Sequence, residues 1–135
     1  MMNELKKLVS SLHLESSVVF HGAIPHNQVL NILSKSNVFL TLYDLTNLGN
    51  PLLEALILEL PVVTIYDSGL SLAFPNLIYT KCEAKLIAEE IIKISNDTNY
   101  FFEYKLRSIS SAIAIKSWED RMLDEIDWIE SKFDV

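Results

Sequence analysis

The sequence predicts an α/β domain built on a parallel sheet, and three observations carry the prediction. Short apolar, β-branched runs recur at SVVFHG, NVFLTLY, PVVTIY and NLIYT, each strand-sized and set off by polar or turn-forming residues. Between them lie segments whose apolar residues fall at helical spacing. Strand-like and helix-like segments therefore alternate, the order that lays parallel strands side by side through right-handed crossovers.

Leu5, Leu8 and Leu12 share one helical face and predict a helix over residues 3–13. SVVFHG predicts a strand at 17–22 with a turn at Gly22, and Val29, Leu30 and Leu33 then place HNQVLNILSKS on a helix. NVFLTLY is almost continuously apolar, as a strand buried on both faces would be. NPLLEALILEL reads as a short helix, with Asn50 as N-cap, Pro51 at the first helical position and Glu54 in the first turn. PVVTIY is a second buried strand, whose proline stands at its start, and NLIYT is a weaker third. CEAKLIAEEIIKISND is amphipathic, its faces marked by Leu86, Ile87, Glu90, Ile91 and Ile94. Two helices follow at 98–114 and 118–132; the last is opened by Ser117 as N-cap with Asp120 three residues on. Trp118 reads as a packing anchor, and Met122, Ile126 and Ile129 as one apolar face. The chain contains no repeat, low-complexity tract or linker and is read as one domain, 1–135. A doubly wound nucleotide-binding half begins with a strand, whereas this chain begins with a helix. The expected architecture is a truncated Rossmann-like parallel sheet with flanking helices.

Composition narrows the function. A formal charge of −7 disfavours nucleic acid and anionic membrane as whole-surface partners, since both need basic patches. The longest apolar stretch, PLLEALILELPVV, is broken by Glu54 and Glu59, so no transmembrane segment is expected. Charges occupy the N-terminal stretch where a signal peptide carries its apolar block, and Cys82 is the single cysteine. These features point to the cytoplasm. Cys82 and the three histidines show no metal-ligand spacing. Half of the residues are apolar, which fits either a tightly packed core or a face covered by another domain or subunit.

The stretch that resists a purely structural account is Asp44 to Asn50, a polar knot between two apolar segments. In open parallel sheets ligands bind beyond the carboxyl ends of the strands. The loops HGAIPHN, DLTNLGN and DSGLS are expected to gather there. The middle loop feeds into a helix whose free amides attract phosphate, and Gly49 permits close backbone approach. Glu54 beside a bound phosphate would repel it, but an ionised carboxylate is well suited to a vicinal diol such as that of ribose. The competing reading is a glutamate that favours the helix dipole and is solvated at the sheet edge.

These stretches resemble a known family. VVFHGAIPHNQVLNILSKSNVFLTLY is similar to the V-x-F-x-G-x-V-P strand and turn, followed by a helix and A-D-V-F-V-x-P-S, of the retaining GT-B glycosyltransferases called glycosyl transferases group 1. NPLLEALILELPVVTIYDSG is similar to that family's P-L-L-E-A-M-A-x-G-x-P-V-V-A-x-x-x-G-G, and IKSWEDRMLDEIDWIE to its closing F-S-W-E-x-x-x-x-x-L-x-x-x-Y. The resemblance covers nearly the whole chain and implies the C-terminal, donor-binding lobe. It implies that Glu54 holds the nucleotide ribose and that Gly49, Asn50 and Pro51 receive the diphosphate. Thr46 stands where the family carries the acid that meets the transferred sugar, so Thr46, Asp44 or Asn47 would face that sugar. Backbone groups of Gly22, Ala23 and Ile24 would meet the base, while His21 is more simply a polar strand-edge residue. Ser68 and Gly69, with Leu70 and Ser71, would either offer amides to a phosphate or sugar or form only a turn. Glu59 replaces a family glycine, read as a surface change of little weight.

The resemblance implies a nucleotide-diphosphate sugar as substrate, transfer of a hexosyl group to a glycan, lipid or protein, and no metal or other cofactor. The diphosphate-clamping Arg and Lys and the acceptor-binding N-terminal lobe are not in this sequence. This chain alone is therefore expected to be inactive and to need that lobe or a partner subunit, through which any inner-membrane association would come. The alternative is a non-catalytic lobe that stabilises or regulates a glycosyltransferase. A response-regulator-like domain finds no support, because no acidic cluster ends a first strand.

Overall fold

The computed structural model describes residues 2–42 and 49–133. The chain divides into two compact units, Met1–Leu30 and Asn31–Val135. In the first, α1 (Met2–Ser11) carries Leu5 and Leu8 on exposed positions. It ends in a left-handed residue, His13 (φ 54°), with the Leu14 amide donating back to Val9 at 3.0 Å and the His13 amide to Ser10 at 3.1 Å. This double bond pattern satisfies the last carbonyls of a helix. Residues 18–22, expected as a strand, form none, and Val19 is 72% exposed. A β-branched run is a strand only when a neighbour takes up its backbone groups, and no ladder partner is present among the described residues. Gly22 does take the left-handed turn expected of it (φ 64°). Pro25 precedes α2 (His26–Leu33), which stops three residues short of the predicted helical stretch, in a turn at Lys35 and Ser36.

The second unit is organised by β2 (Val62–Ile65), which runs parallel between β1 (Phe39–Thr41) and β3 (Tyr79–Thr80). Phe39 is in register with Val62, and Thr64 with Tyr79. Every β2 residue is buried, between 1% and 6% exposed, as its continuous apolar sequence predicts. Successive side chains alternate faces. Val62 packs with Leu52 and Leu56 of α3 (Asn50–Ile57), Leu70 and Phe74 of the α4 region (helix Ser68–Ala73), and Leu77. Val63 packs with Ile87 and Ile94 of α5 (Ala84–Asn96) and Tyr104 of α6 (Thr98–Ile113). The two crossovers, through α3 and α4, step the same way across the sheet, so right-handedness puts both helices on one face. The order β1-β2-β3 contains no reversal among the described residues. β1 departs from expectation. It is an outer strand of this sheet, and Leu40 is 43% exposed rather than buried.

Glu90 of α5 accepts hydrogen bonds from the hydroxyls of Tyr100 at 2.8 Å and Tyr104 at 2.9 Å, so the one acid on that apolar face ties α5 to α6. Asp97 ends α5 and caps α6, accepting from the Asn99 and Tyr100 amides at 2.9 and 3.2 Å. On α6 the small residues Ser108 and Ser111 are fully buried, and their hydroxyls find no hydrogen-bond partner. The last helix, α7 (Trp118–Phe133), opens as expected: the Asp120 amide donates to Ser117 Oγ at 3.0 Å, and that hydroxyl donates to the Asp120 carboxylate at 2.9 Å. None of its described residues is buried. Trp118, expected as an anchor, is 69% exposed, and Met122, Ile126 and Ile129 are exposed as well.

Glu59 is not a neutral surface position. It adopts φ 58° at the end of α3, where the Leu60 amide donates to Ala55 at 2.9 Å and the Glu59 amide to Leu56 at 3.0 Å. That conformation favours glycine, and a side chain there costs about 1 kcal/mol. The exposed pair of Glu59 with Lys105, 3.2 Å apart, returns only a few tenths of that. Glu59→Gly is expected to raise the unfolding free energy by about 0.5–1 kcal/mol in urea denaturation; a loss of stability would show that the ion pair outweighs the backbone strain. High pH is expected to weaken the unit. Burial, then the Asp67 carboxylate and Tyr66, push the Tyr79 phenol up to about 12, and burial and the bond to Glu90 push Tyr104 upward too. A folded pKa above the unfolded value of about 10 gives stability that is complete below pH 10 and lost as pH rises towards 12. The urea midpoint should be level at pH 8 and 9 and fall at pH 11; a level midpoint at pH 11 contradicts this.

Candidate functional site

Three features meet at the carboxyl edge of the sheet in the second unit: the mouth of α3 after β1, the tip of β2, and the first turn of α4. The mouth of α3 differs by one residue from the sequence reading. Gly49, in extended conformation (φ −74°, ψ 142°), is the cap, so Asn50 and Pro51 are the first two helical residues. Pro51 explains the shift in part: it has no amide to donate, so the first turn closes through the Leu52 amide onto the Gly49 carbonyl at 3.1 Å. Among the described residues no side chain caps this helix end. Glu54 is consequently one turn in, beyond the first turn, and half-buried. Asn50 and Pro51 are exposed at the entrance, and a cleft of about 370 Å³ opens beside it, lined by Phe39, Leu40, Thr41, Leu42 and Pro51.

The DSGLS segment forms a helix rather than a loop. Asp67 caps α4, accepting from the Leu70 amide at 2.9 Å, while the Ser71 amide donates to the Asp67 carbonyl at 2.8 Å. Two of the amides considered as ligand donors are thus taken up by the chain itself. Ser68 is exposed and Gly69 half-buried in that first turn. Asp44, Thr46 and Asn47 lie outside the described residues. Gly22, Ala23 and Ile24 belong to the first unit, where Gly22 and Ala23 are exposed and Ile24 is half-buried.

Tyr66, expected within the buried strand PVVTIY, lies one residue past β2 at its tip and is 69% exposed, directly before the Asp67 cap. A larger cavity of about 460 Å³, lined by Asn37, Val38, Ile94, Ser95, Thr98, Phe101 and Phe102, opens at the amino end of β1. It lies at the opposite strand end from α3's mouth. Electrostatically the candidate site is bare of positive charge from its own segment: no lysine, arginine or histidine occurs between Lys35 and Lys81. Among the described residues no group of His, Cys, Asp and Glu is placed to hold a metal ion, and no helix is long and apolar enough to cross a membrane.

Against known families, residues 1–112 match the glycosyl transferases group 1. The chain belongs to that family. The match takes in α1 to all but the last residue of α6, and with them both the α3 mouth and Glu54; the stretch resembling the family's closing helix, α7, lies outside it. The small parallel sheet flanked by helices agrees with the Rossmann-like lobe of a GT-B glycosyltransferase. No curated protein and no solved structure matches the chain.

Asp67→Ala removes the α4 cap and is expected to lower stability by about 0.5–2 kcal/mol, with Asp67→Asn retaining most of it. Chemical denaturation measures the difference; equal stability of Asp67→Ala and the unsubstituted chain would mean that the cap carries no energy.

Proposed function

We propose that this chain supplies the donor-binding surface of a glycosyltransferase that uses a nucleotide-diphosphate sugar. The observation that carries the proposal is the position of Glu54: one turn inside the helix whose mouth, with Gly49 at the cap position, opens at the carboxyl edge of a parallel sheet. At that mouth Pro51 has no amide and that of Leu52 is donated to the Gly49 carbonyl, so a diphosphate would be met by the amides of Gly49 and Asn50, and a carboxylate set one turn back is spared direct repulsion by it. Glu54 is assigned the ribose hydroxyls, Gly49, Asn50 and Pro51 the diphosphate, and Thr46, Asp44 or Asn47 the transferred sugar. Gly22, Ala23 and Ile24 are assigned the base, and Ser68 and Gly69 the far side of the phosphate or sugar.

In the transfer itself, the bond from the anomeric carbon to the diphosphate breaks and a bond to an acceptor hydroxyl forms, whose proton is released. Negative charge grows on the leaving diphosphate and needs positive charge to stabilise it. With no cation between Lys35 and Lys81, that charge comes from outside this segment, and the acceptor site from a partner lobe or subunit. The same absence favours a second reading, a non-catalytic lobe that stabilises or regulates a glycosyltransferase.

Calorimetric titration with UDP-glucose, GDP-mannose and ADP-glucose tests the proposal. One of these is expected to bind, and Glu54→Ala to weaken it about 10- to 100-fold, the loss of charge-assisted hydrogen bonds to a diol. Unchanged affinity in Glu54→Ala removes Glu54 from the site; absence of heat with every donor supports the second reading.

A further inference from the structure

Tyr66 follows the last residue of β2 and continues its ladder, the Tyr66 amide donating to the Thr80 carbonyl at 3.2 Å. Strand alternation puts Val62, Thr64 and Tyr66 on one face of the sheet. Val62 packs against α3 and α4, so Tyr66 stands on the face that carries the α3 mouth. Tyr79 meets the Tyr66 ring edge-on, with centroids 6.0 Å apart and planes at 76°. Tyr79 is itself held: it packs on the α3/α4 core, and its hydroxyl donates to the Phe74 carbonyl at 2.8 Å, with that of Leu70 at 3.1 Å. The result is an aromatic ring 69% exposed, braced from below, at the tip of the central strand.

The fold uses Tyr79 and not Tyr66 to fill this face, which leaves the braced Tyr66 ring accessible to a ligand. We propose that Tyr66 is the platform on which the hexosyl group of the donor rests, the C–H face of the pyranose lying against the ring. The inference rests on the donor-binding reading above. If the ribose is held on α3 and the diphosphate at its mouth, the neighbouring strand tip is left to the group beyond the diphosphate. That group is the sugar. The face of a phenol ring offers apolar surface and no cation, which suits a pyranose and not a phosphate.

The test compares a nucleotide sugar with the same nucleoside diphosphate lacking the sugar, for example UDP-glucose with UDP, on the full chain by calorimetry. Tyr66→Ala is expected to weaken the nucleotide sugar about threefold to tenfold and leave the free diphosphate unchanged. Tyr66→Phe is expected to retain the original affinity, because the ring and not the hydroxyl makes the contact. Thermal unfolding of both variants checks that this exposed position leaves the fold intact. Equal weakening of UDP-glucose and UDP overturns the inference in favour of base or phosphate contact. Tyr66→Phe as weak as Tyr66→Ala overturns it in favour of a hydroxyl contact, and full affinity in Tyr66→Ala overturns it outright. Failure of the unsubstituted chain to bind any nucleotide sugar overturns the donor-binding reading beneath it, a result distinct from these.

Discussion

Val62 and Val63 project to opposite faces of one strand, and each must be covered by a separate helix layer. From that demand the second unit follows. α3 and the α4 region shield Val62, while α5 and α6 shield Val63, and both residues are about 1% exposed. Burying each such side chain contributes roughly 1.5–3 kcal/mol, so β2 and its cover set the relative placement of everything attached to them. The α3 mouth and the tip of β2 are positioned as a by-product of this packing. They end at one edge of the sheet because parallel strands point the same way and their crossover helices start there.

Helix ends are handled by different chemistry at each place, and the differences bear on the site. Asp67, Asp97 and Ser117 satisfy the amides of α4, α6 and α7 with side chains, whereas the mouth of α3 has Gly49 and no side-chain cap. The cap position of α3 is Gly49, which has no side chain to offer, and α5 likewise begins without a bond from the Glu83 side chain, so side-chain caps are found on α4, α6 and α7 among the described residues. The carboxyl end of α3 shows the reverse economy, a left-handed glutamate where the bond pattern favours glycine.

Much of this was legible in the residues. The buried strand PVVTI, the helices from α5 onward and the Ser117 cap follow from periodicity and local hydrogen-bonding chemistry, which act over a few residues. The helix that carries Glu54 was legible too, though the turn in which Glu54 sits was misplaced because Gly49, not Asn50, is the cap. What failed depended on distant partners. SVVFHG has strand composition, but pairing is decided by a neighbour the periodicity cannot see. Leu40 and Trp118 look like core residues, yet β1 is an outer strand and the described residues of α7 are all exposed. Glu59 was read by its polarity, when the backbone angle at its position is what matters. Tyr66 has strand composition and so reads as part of the buried run PVVTIY, yet it lies one residue past β2 and is exposed.

Ser108 and Ser111 carry a consequence for the interior of the second unit. They are buried on α6, the helix that contacts α3, α5 and β2, and among the described residues their hydroxyls find no hydrogen-bond partner. Each holds a hydroxyl out of water at a cost of about 1–3 kcal/mol, so alanine, with nearly the same volume, would fill either place while shedding that cost.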